Sequence, residues 1–447
     1  MSAPDWRKVA YLVQVSRAID ALEEQTLVPE KKILYQFSAR GHDLAQVLLG
    51  LALTDPNDAL CGYYRSRPAL LALGVDIEDA LGSSMARSGG YSDGRDIGAV
   101  FNFPNRAGAS ALPMCGGVGA QFTPTAGWAQ AMEYHRRVLK DPAFDRAIGV
   151  ALGGDASVAT NGFWSALTIA TTLGLPMLFY IEDNGWGISV PSQFQTPGAD
   201  IAANLASFSG LRVRTGDGAD PAEATRLIEA SVAEVRESRG PTLLRLTVPR
   251  LEGHSFQDTQ SYKGAETVAA EWARDPLPRL HDHLVPEHLS ETAWEAIGAK
   301  AAADVEAARA RAEARPQPDP DTVARFVFSE SDVAQVQGGL RAAGVLPAPS
   351  APTPRPEGQR INMGAAIRRT LEGELAVNPR LVVFGEDVGP KGGVHGVTLG
   401  LQDKFGPDRV FDTSLSEEGI IGRAVGMALA GLMPAPEIQF RDRKSVV

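Results

Sequence analysis

The chain has 447 residues, a formal net charge of −11, 44% hydrophobic and 22% charged residues, and two cysteines. That length allows about three domains with sizeable cores, and the acidic balance disfavours nucleic acid as the main partner. Cys61 and Cys115 form neither a disulfide framework nor a zinc spacing, which fits a reducing cytoplasm; no apolar run is long enough to span a bilayer, and the N-terminus carries no secretory or transit pattern.

In chain order, Pro4 to Glu24 reads as an amphipathic helix and Gly41 to Leu53 as a second. Tyr63-Tyr64-Arg65 follows in a polar stretch placed after a helix, and Cys115 to Gln121 (CGGVGAQ) is a tight backbone segment before an apolar helix. Ala147 to Asp155 and Pro176 to Asn184 read as buried parallel strands joined by a helix over Asn161 to Leu173, with Gly174 placed to end it. Thr242 to Val248 is another buried strand, and Pro249 to Lys263 a long loop of the kind that carries function. Ala293 to Ala314 is helical and expected to be an outer, solvated face. Leu346 to Arg360 (LPAPSAPTPRPEGQR) reads as a semi-rigid proline-rich linker. A second α/β unit begins at Ile361, with a strand at Leu381 to Gly385, a Gly/Ala-rich helix at Ile420 to Leu432 and the start of a strand at Ala435 to Phe440. The last residues, RDRKSVV, extend no pattern and read as a foreign tail on a second unit cut short. The expected division is therefore residues 1–345, a linker over 346–360, a partial unit over 361–440 and a tail over 441–447.

A strand-helix-strand crossover brings both strand ends to one edge of the sheet, where Asp155 and Asn184 can meet. Their hard oxygen donors suit Mg²⁺ or Ca²⁺, and Gly153, Gly154, Ala156 and Ser157 keep the turn slim enough for backbone N–H groups to approach an anion. The local reading is a magnesium-diphosphate site. The competing reading is a glycine turn and polar loop of any doubly wound domain. Taken singly, the other segments have ordinary explanations: a surface arginine beside a half-buried tyrosine at Tyr64 and Arg65, a solvated loop histidine at His254, and first-turn glutamates at Glu417 and Glu418. His281, His283 and His288 lack the further ligands that a zinc site needs.

Together these segments resemble the thiamine diphosphate-dependent decarboxylating dehydrogenases of the 2-oxoacid dehydrogenase complexes. Val15 to Lys263 resembles the alpha subunit and Ile361 to Phe440 the start of the beta subunit, in the order of a fused alpha–beta polypeptide. The carrying motifs are Gly154-Asp155 with Asn184, Gly116-Gly-Val-Gly-Ala-Gln121, His254-Ser255, Phe384-Gly-Glu-Asp-Val-Gly389, Glu417 within DTSLSEEGIIG, and Ala435-Pro-Glu-Ile-Gln-Phe440. The resemblance implies an α/β thiamine diphosphate-binding fold, a parallel sheet flanked by helices, plus the start of a second similar domain. It also implies that Asp155, Asn184 and the Trp186 carbonyl hold Mg²⁺. The N–H groups of Ala156 and Ser157, with Tyr64 and Arg65, would hold the diphosphate, and Gly116 and Val118 the aminopyrimidine. Glu417 would exchange a proton with the pyrimidine ring, and His254 would assist acyl transfer to the lipoyl group of a partner acyltransferase. The implied substrate is a 2-oxoacid, with 3-methyl-2-oxobutanoate favoured over pyruvate, and the implied assembly a dimer of fused chains in the cytoplasm. An acetoin-type dehydrogenase and a catalytically incomplete cofactor-binding fragment are the alternatives. Departures from the family pattern are Ala156 for a third glycine, Asp183 for a first asparagine and Glu252 for a histidine two residues before His254.

Overall fold

The computed structural model describes residues 4–96, 98–105, 107–325 and 358–440. Most of the proline-rich segment and all of the RDRKSVV tail lie outside these residues.

Eleven strands are present among the described residues: β1 Ala59–Cys61, β2 Ser110–Ala111, β3 Gly149–Gly154, β4 Met177–Asp183, β5 Trp186–Gly187, β6 Val190–Pro191, β7 Arg212–Asp217, β8 Thr242–Thr247, β9 Leu381–Gly385, β10 Val410–Asp412 and β11 Met433–Glu437. The larger sheet has six strands in the order β2-β1-β3-β4-β8-β7, and every pairing in it is parallel. Strands β5 and β6 form a small antiparallel hairpin just beyond β4.

The central strand β4 shows why the sheet carries helices on both faces. All its residues are buried. Leu178 and Tyr180 enter one apolar core with the Trp6–Leu22 and Pro221–Ser238 helices, whereas Met177, Phe179 and Ile181 enter another with Phe122, Phe163 and Leu167. The period of two along a strand thus feeds two cores at once, which is why the segment reads as a continuous apolar run. The helix Asn161–Leu173 crosses between β3 and β4. The Thr160 hydroxyl caps its start by accepting the Phe163 N–H, and Gly174, with φ 63°, ends it.

The C-terminal unit is a three-stranded parallel sheet, β10-β9-β11, with the helices Met363–Val377 and Glu417–Leu429. The latter helix packs on Phe122–Arg137 through glycines. A Cβ on Gly426 would stand 1.8 Å from Pro124 O, one on Gly422 1.9 Å from Thr123 Oγ1, and one on Gly127 2.0 Å from Arg423 O. Arg423 is buried at this joint, its guanidinium 5.0 Å from the Phe384 ring centroid and donating to Gln130 Oε1 at 3.1 Å. Tyr134 donates to Pro379 O at 2.6 Å, and His135 Nε2 lies 2.9 Å from Ala430 O.

Two expectations need correcting. Tyr63-Tyr64-Arg65 follows strand β1, not a helix; three residues are too few to show a period, and the strand is held by its neighbours, with buried Asp58 accepting the Ile148 N–H and pairing with Arg236. Glu291–Ala314 is not simply a solvated face: Ala301, Val305, Ala308 and Ala312 are buried, and the helix packs on Trp6–Leu22 and Ile77–Ser84. The Gly/Ala-rich helix spans Glu417–Leu429, with Glu417 and Glu418 in its first turn as expected and Ser416 accepting the Gly419 N–H as its cap; Gly431, at φ 88°, then turns the chain into β11.

Candidate active site at the carboxyl edge of the sheet

The parallel register from Gly149↔Met177 to Gly154↔Glu182 brings the ends of β3 and β4 level. The turns that follow line a cavity of ≈ 260 Å³ with Tyr63, Tyr64, Arg65, Gly116, Val118, Gly154, Asp155, Ala156, Ser157, Asn184, Trp186, Arg250 and His254. This is the crevice outside the carboxyl ends of the strands where open α/β sheets bind ligands. The slimness of the β3 turn rests mainly on Gly153, whose Cβ would lie 2.5 Å from Ser157 Oγ and 2.9 Å from the Phe122 ring.

Asp155 is buried and receives the Ser192 hydroxyl at 2.5 Å. Burial, followed by the charge of Asp183, pushes its carboxyl up to about 6. Asp183 itself turns from the cavity: it pairs with Arg245 at 2.6 Å and accepts the Gly185 N–H at 3.0 Å. Asn184 Oδ1 accepts the Trp186 N–H at 3.0 Å, and the Trp186 indole donates to Glu271 at 3.0 Å; both Asn184 and Trp186 line the cavity.

Two buried arginines supply the positive charge. Arg65 donates to the carbonyls of Ser38 and His254, the latter at 3.1 Å. Arg250 donates to Ile188 O at 2.7 Å and to the Tyr262 hydroxyl, and its Nε has no hydrogen-bond partner. Among the described residues neither guanidinium has a carboxylate within ion-pair distance, although Asp258 and Glu271 act on Arg250 from further away and Arg250 reaches Asp258 through the Tyr262 hydroxyl; both arginines line the cavity, where a bound anion would draw on their charge. Arg250 was not legible as a site residue. The signal for it is positional, since it stands just past β8 on the same sheet edge as Asp155 and Asn184.

His254 packs edge-on against Tyr64 at 5.7 Å and Phe37 at 5.5 Å. Burial, Arg65 and Arg250 push its imidazole down to about 4, which favours the neutral ring at physiological pH. Histidine-selective NMR should therefore show the His254 ring titrating near pH 4; a midpoint near 6.5 would disprove this electrostatic account. Glu252, which stands where the family pattern often has a histidine, pairs with Arg40 at 2.8 Å.

Glu417 is not brought into the Asp155 cavity. It lines a neighbouring recess with Asn161, Trp164, Ser165, Thr168 and Glu418. The glycine-faced docking of its helix sets this position. The start of that helix nonetheless abuts the Gly116–Gly119 wall, since a Cβ on Gly162 would stand 2.5 Å from Gly119 O and 3.0 Å from Glu418 Oε1. His281, His283 and His288 lie elsewhere: His281 pairs with Glu291 at 3.0 Å, and His283 packs on Trp6 at 4.9 Å.

The family model described as Dehydrogenase E1 component matches residues 11–321, and that described as Transketolase, pyrimidine binding domain matches residues 359–442. The chain belongs to the dehydrogenase E1 component family. Over 82 residues it is 56% identical to the 3-methyl-2-oxobutanoate dehydrogenase subunit beta of Mycobacterium tuberculosis, covering 18% of this chain and 24% of that one. Over 247 residues it is 27% identical to the pyruvate dehydrogenase E1 component subunit alpha of Porphyra purpurea, 54% of this chain and 69% of that one. Over 93 residues it is 47% identical to the pyruvate dehydrogenase E1 component subunit beta of Leifsonia xyli, 21% of this chain and 28% of that one. Alpha-type and beta-type sequence thus stand in one polypeptide, as the motif order indicated, and the chain spans about a quarter of the length of these beta-type relatives. No helix among the described residues is long and apolar enough to cross a membrane.

Proposed function

We propose that the chain catalyses thiamine diphosphate- and Mg²⁺-dependent oxidative decarboxylation of a 2-oxoacid, favouring a branched-chain acid such as 3-methyl-2-oxobutanoate over pyruvate, with acyl transfer to a lipoyl group on a partner acyltransferase. The observation that carries this reading is the convergence of Asp155 and Asn184 with two buried arginines that lack carboxylate partners in one cavity. The donor set fits the groups it would hold. Carboxylate, amide and carbonyl oxygens suit Mg²⁺, and the guanidinium charge of Arg65 and Arg250 suits a diphosphate. The identity to the Mycobacterium tuberculosis relative supports the branched-chain preference.

Thiamine diphosphate, when bound, supplies the carbon nucleophile and electron sink that decarboxylation needs. In this reading Asp155, Asn184 and the Trp186 carbonyl hold the metal. Ala156 and Ser157 N–H groups, Tyr64, Arg65 and, newly, Arg250 hold the diphosphate. Gly116 and Val118, both exposed on the cavity wall, present backbone to the aminopyrimidine. Glu417 would exchange a proton with the pyrimidine once brought to it, and His254 would move a proton during acyl transfer. The proposed organisation is an alpha-type unit through residue 345, a linker over 346–360 and a beta-type unit over 361–440, in a cytoplasmic dimer of fused chains. A second reading, a cofactor-binding chain completed by another polypeptide, is favoured by the separate recess of Glu417.

Thiamine diphosphate binding should require Mg²⁺, and with an artificial electron acceptor kcat/KM should be higher for 3-methyl-2-oxobutanoate than for pyruvate. Glu417→Gln should lower the rate by about 10²-fold or more while leaving Mg²⁺-dependent binding intact. Metal-independent binding, or none, would end the proposal; an unchanged rate in Glu417→Gln would end the proton assignment; binding without turnover would favour the second reading.

A further inference from the structure

Behind Asn184 lies a buried polar cluster to which the proposed function gives no role. His42, Gln46 and Glu182 are all fully buried. Glu182 Oε2 receives the Gln46 amide at 2.9 Å and the Tyr63 hydroxyl at 3.1 Å, and lies 3.0 Å from His42 Nδ1. On the other side of the ring, His42 Nε2 lies 3.2 Å from Asn184 Nδ2. The site of His42 is itself well fixed. Its backbone occupies the N-cap position of the Asp43–Ala52 helix, and the preceding Gly41, at φ 93°, presses so closely on Pro249 that a Cβ would stand 1.9 Å from the Pro249 carbonyl oxygen.

The direction of each hydrogen bond follows from donor and acceptor chemistry. The Trp186 N–H, 3.0 Å from Asn184 Oδ1, requires an oxygen there. A flipped amide would set NH₂ against N–H, so Nδ2 must face His42. Nδ2 can only donate, which makes Nε2 the bare, accepting nitrogen. The ring proton then sits on Nδ1 and is donated to Glu182. A directed chain results, from Asn184 to His42 to Glu182, with Gln46 and Tyr63 holding its terminal acceptor in place.

We propose that His42 is a positioning residue for the metal site: held by Glu182 as the Nδ1–H tautomer, it accepts from Asn184 Nδ2 and so keeps Asn184 Oδ1 turned toward the cavity as a cation ligand. The inference rests on the metal role given to Asn184 above. One lone pair of Oδ1 takes the Trp186 N–H, and the other is left for the cation. Without the anchor, the Trp186 N–H alone would oppose rotation of the amide about its terminal torsion, and a rotated amide would offer its NH₂ to the metal instead. Residues of this kind, which orient a ligand without touching the metal, are worth about 10- to 100-fold in metal affinity.

The test uses the full chain with thiamine diphosphate and Mn²⁺ as the probe, free Mn²⁺ being counted by electron paramagnetic resonance. His42→Leu should weaken Mn²⁺ binding by about 10- to 100-fold. His42→Gln, whose amide oxygen can take the place of Nε2, should recover most of that loss. In the metal-free wild type, nitrogen-15 NMR of labelled histidines should show His42 protonated on Nδ1 and bare on Nε2. A proton on Nε2 overturns the inference, and this readout stands even where His42→Leu folds poorly. Wild-type Mn²⁺ affinity in His42→Leu also overturns it while sparing the metal site. If the wild type itself binds no Mn²⁺ with the cofactor, the proposed function has failed and this inference falls with it.

Discussion

Asp155→Asn should make the metal-free chain more stable at pH 8 while abolishing Mg²⁺-dependent cofactor binding. Burial and the nearby charge of Asp183 raise the Asp155 carboxyl from 3.8 to about 6. Keeping it ionised in the fold above that pH therefore costs about 3 kcal/mol, at 1.36 kcal/mol per unit. The sign follows from which form the fold prefers. The protonated acid binds its proton more tightly when folded, so its contribution is fully present below about pH 3.8 and is lost as pH rises through about 6. An asparagine keeps an oxygen for the Ser192 hydroxyl without the charge. Its advantage should be absent near pH 3.8, open across the window to pH 6 and stay level above pH 7. Mg²⁺ with thiamine diphosphate should reverse the ranking, because only the wild type gains binding energy from them. Thermal melts of both proteins across that pH range, with and without the additions, check each part. An asparagine variant no more stable at pH 8 would show that the carboxylate is not held against its solvation preference, and the metal argument would lose its electrostatic footing.

Gly426→Val should release the C-terminal unit from the larger sheet. A side chain there meets Pro124 O at 1.8 Å and Trp128 N at 2.6 Å, and backbone atoms cannot step aside as a side-chain tip can. Overpacking a core commonly costs 1–3 kcal/mol, and here the helices must separate, so the loss should reach about 3 kcal/mol or more. Separation also strips Tyr134 from Pro379, His135 from Ala430 and the buried Arg423 from Gln130. Hydrogen exchange should accelerate across the Glu417–Leu429 helix and β9, while β3, β4 and β8 stay protected. Gly373→Ala makes the control: nothing lies within 4 Å of its Cβ, and it sits inside the Met363–Val377 helix. That change should be neutral or slightly stabilising. Unchanged exchange in Gly426→Val would mean that the glycine-faced contact does not hold the two sheets together.

How much of this was legible from sequence depended on what each segment buries. Strands β3 and β4 were visible because both faces of a central parallel strand are covered, leaving an unbroken apolar run that ends in glycine or a polar turn. The helix between them announced both its ends through Thr160 and Gly174. Strand β7 escaped notice because RVRTGD is an edge strand whose residues stay partly exposed, and β1 and β2 because two or three residues make no pattern. The turns bearing Asp155 and Asn184 could be placed on one edge by topology alone. The direction of Asp183, the bond from Ser192 and the approach of Arg250 could not, because each depends on loops whose paths no periodicity encodes. The split between Glu417 and the Asp155 cavity is a matter of how two helices dock, and only the glutamates at the start of the helix were legible.

Arg65 joins two things usually treated apart. The same guanidinium that faces the cavity also ties Ser38 to the His254 backbone, and so fastens the Pro249–Lys263 loop to the segment before the Asp43–Ala52 helix. An anion that draws on Arg65 changes how firmly the loop is latched, and a change in the loop alters how strongly Arg65 can greet an anion. Thermodynamic reciprocity makes the two effects equal in factor. Wherever the loop has a second posture that loosens the Arg65 bonds, occupancy of the cavity and that posture would be a single equilibrium, read at two places.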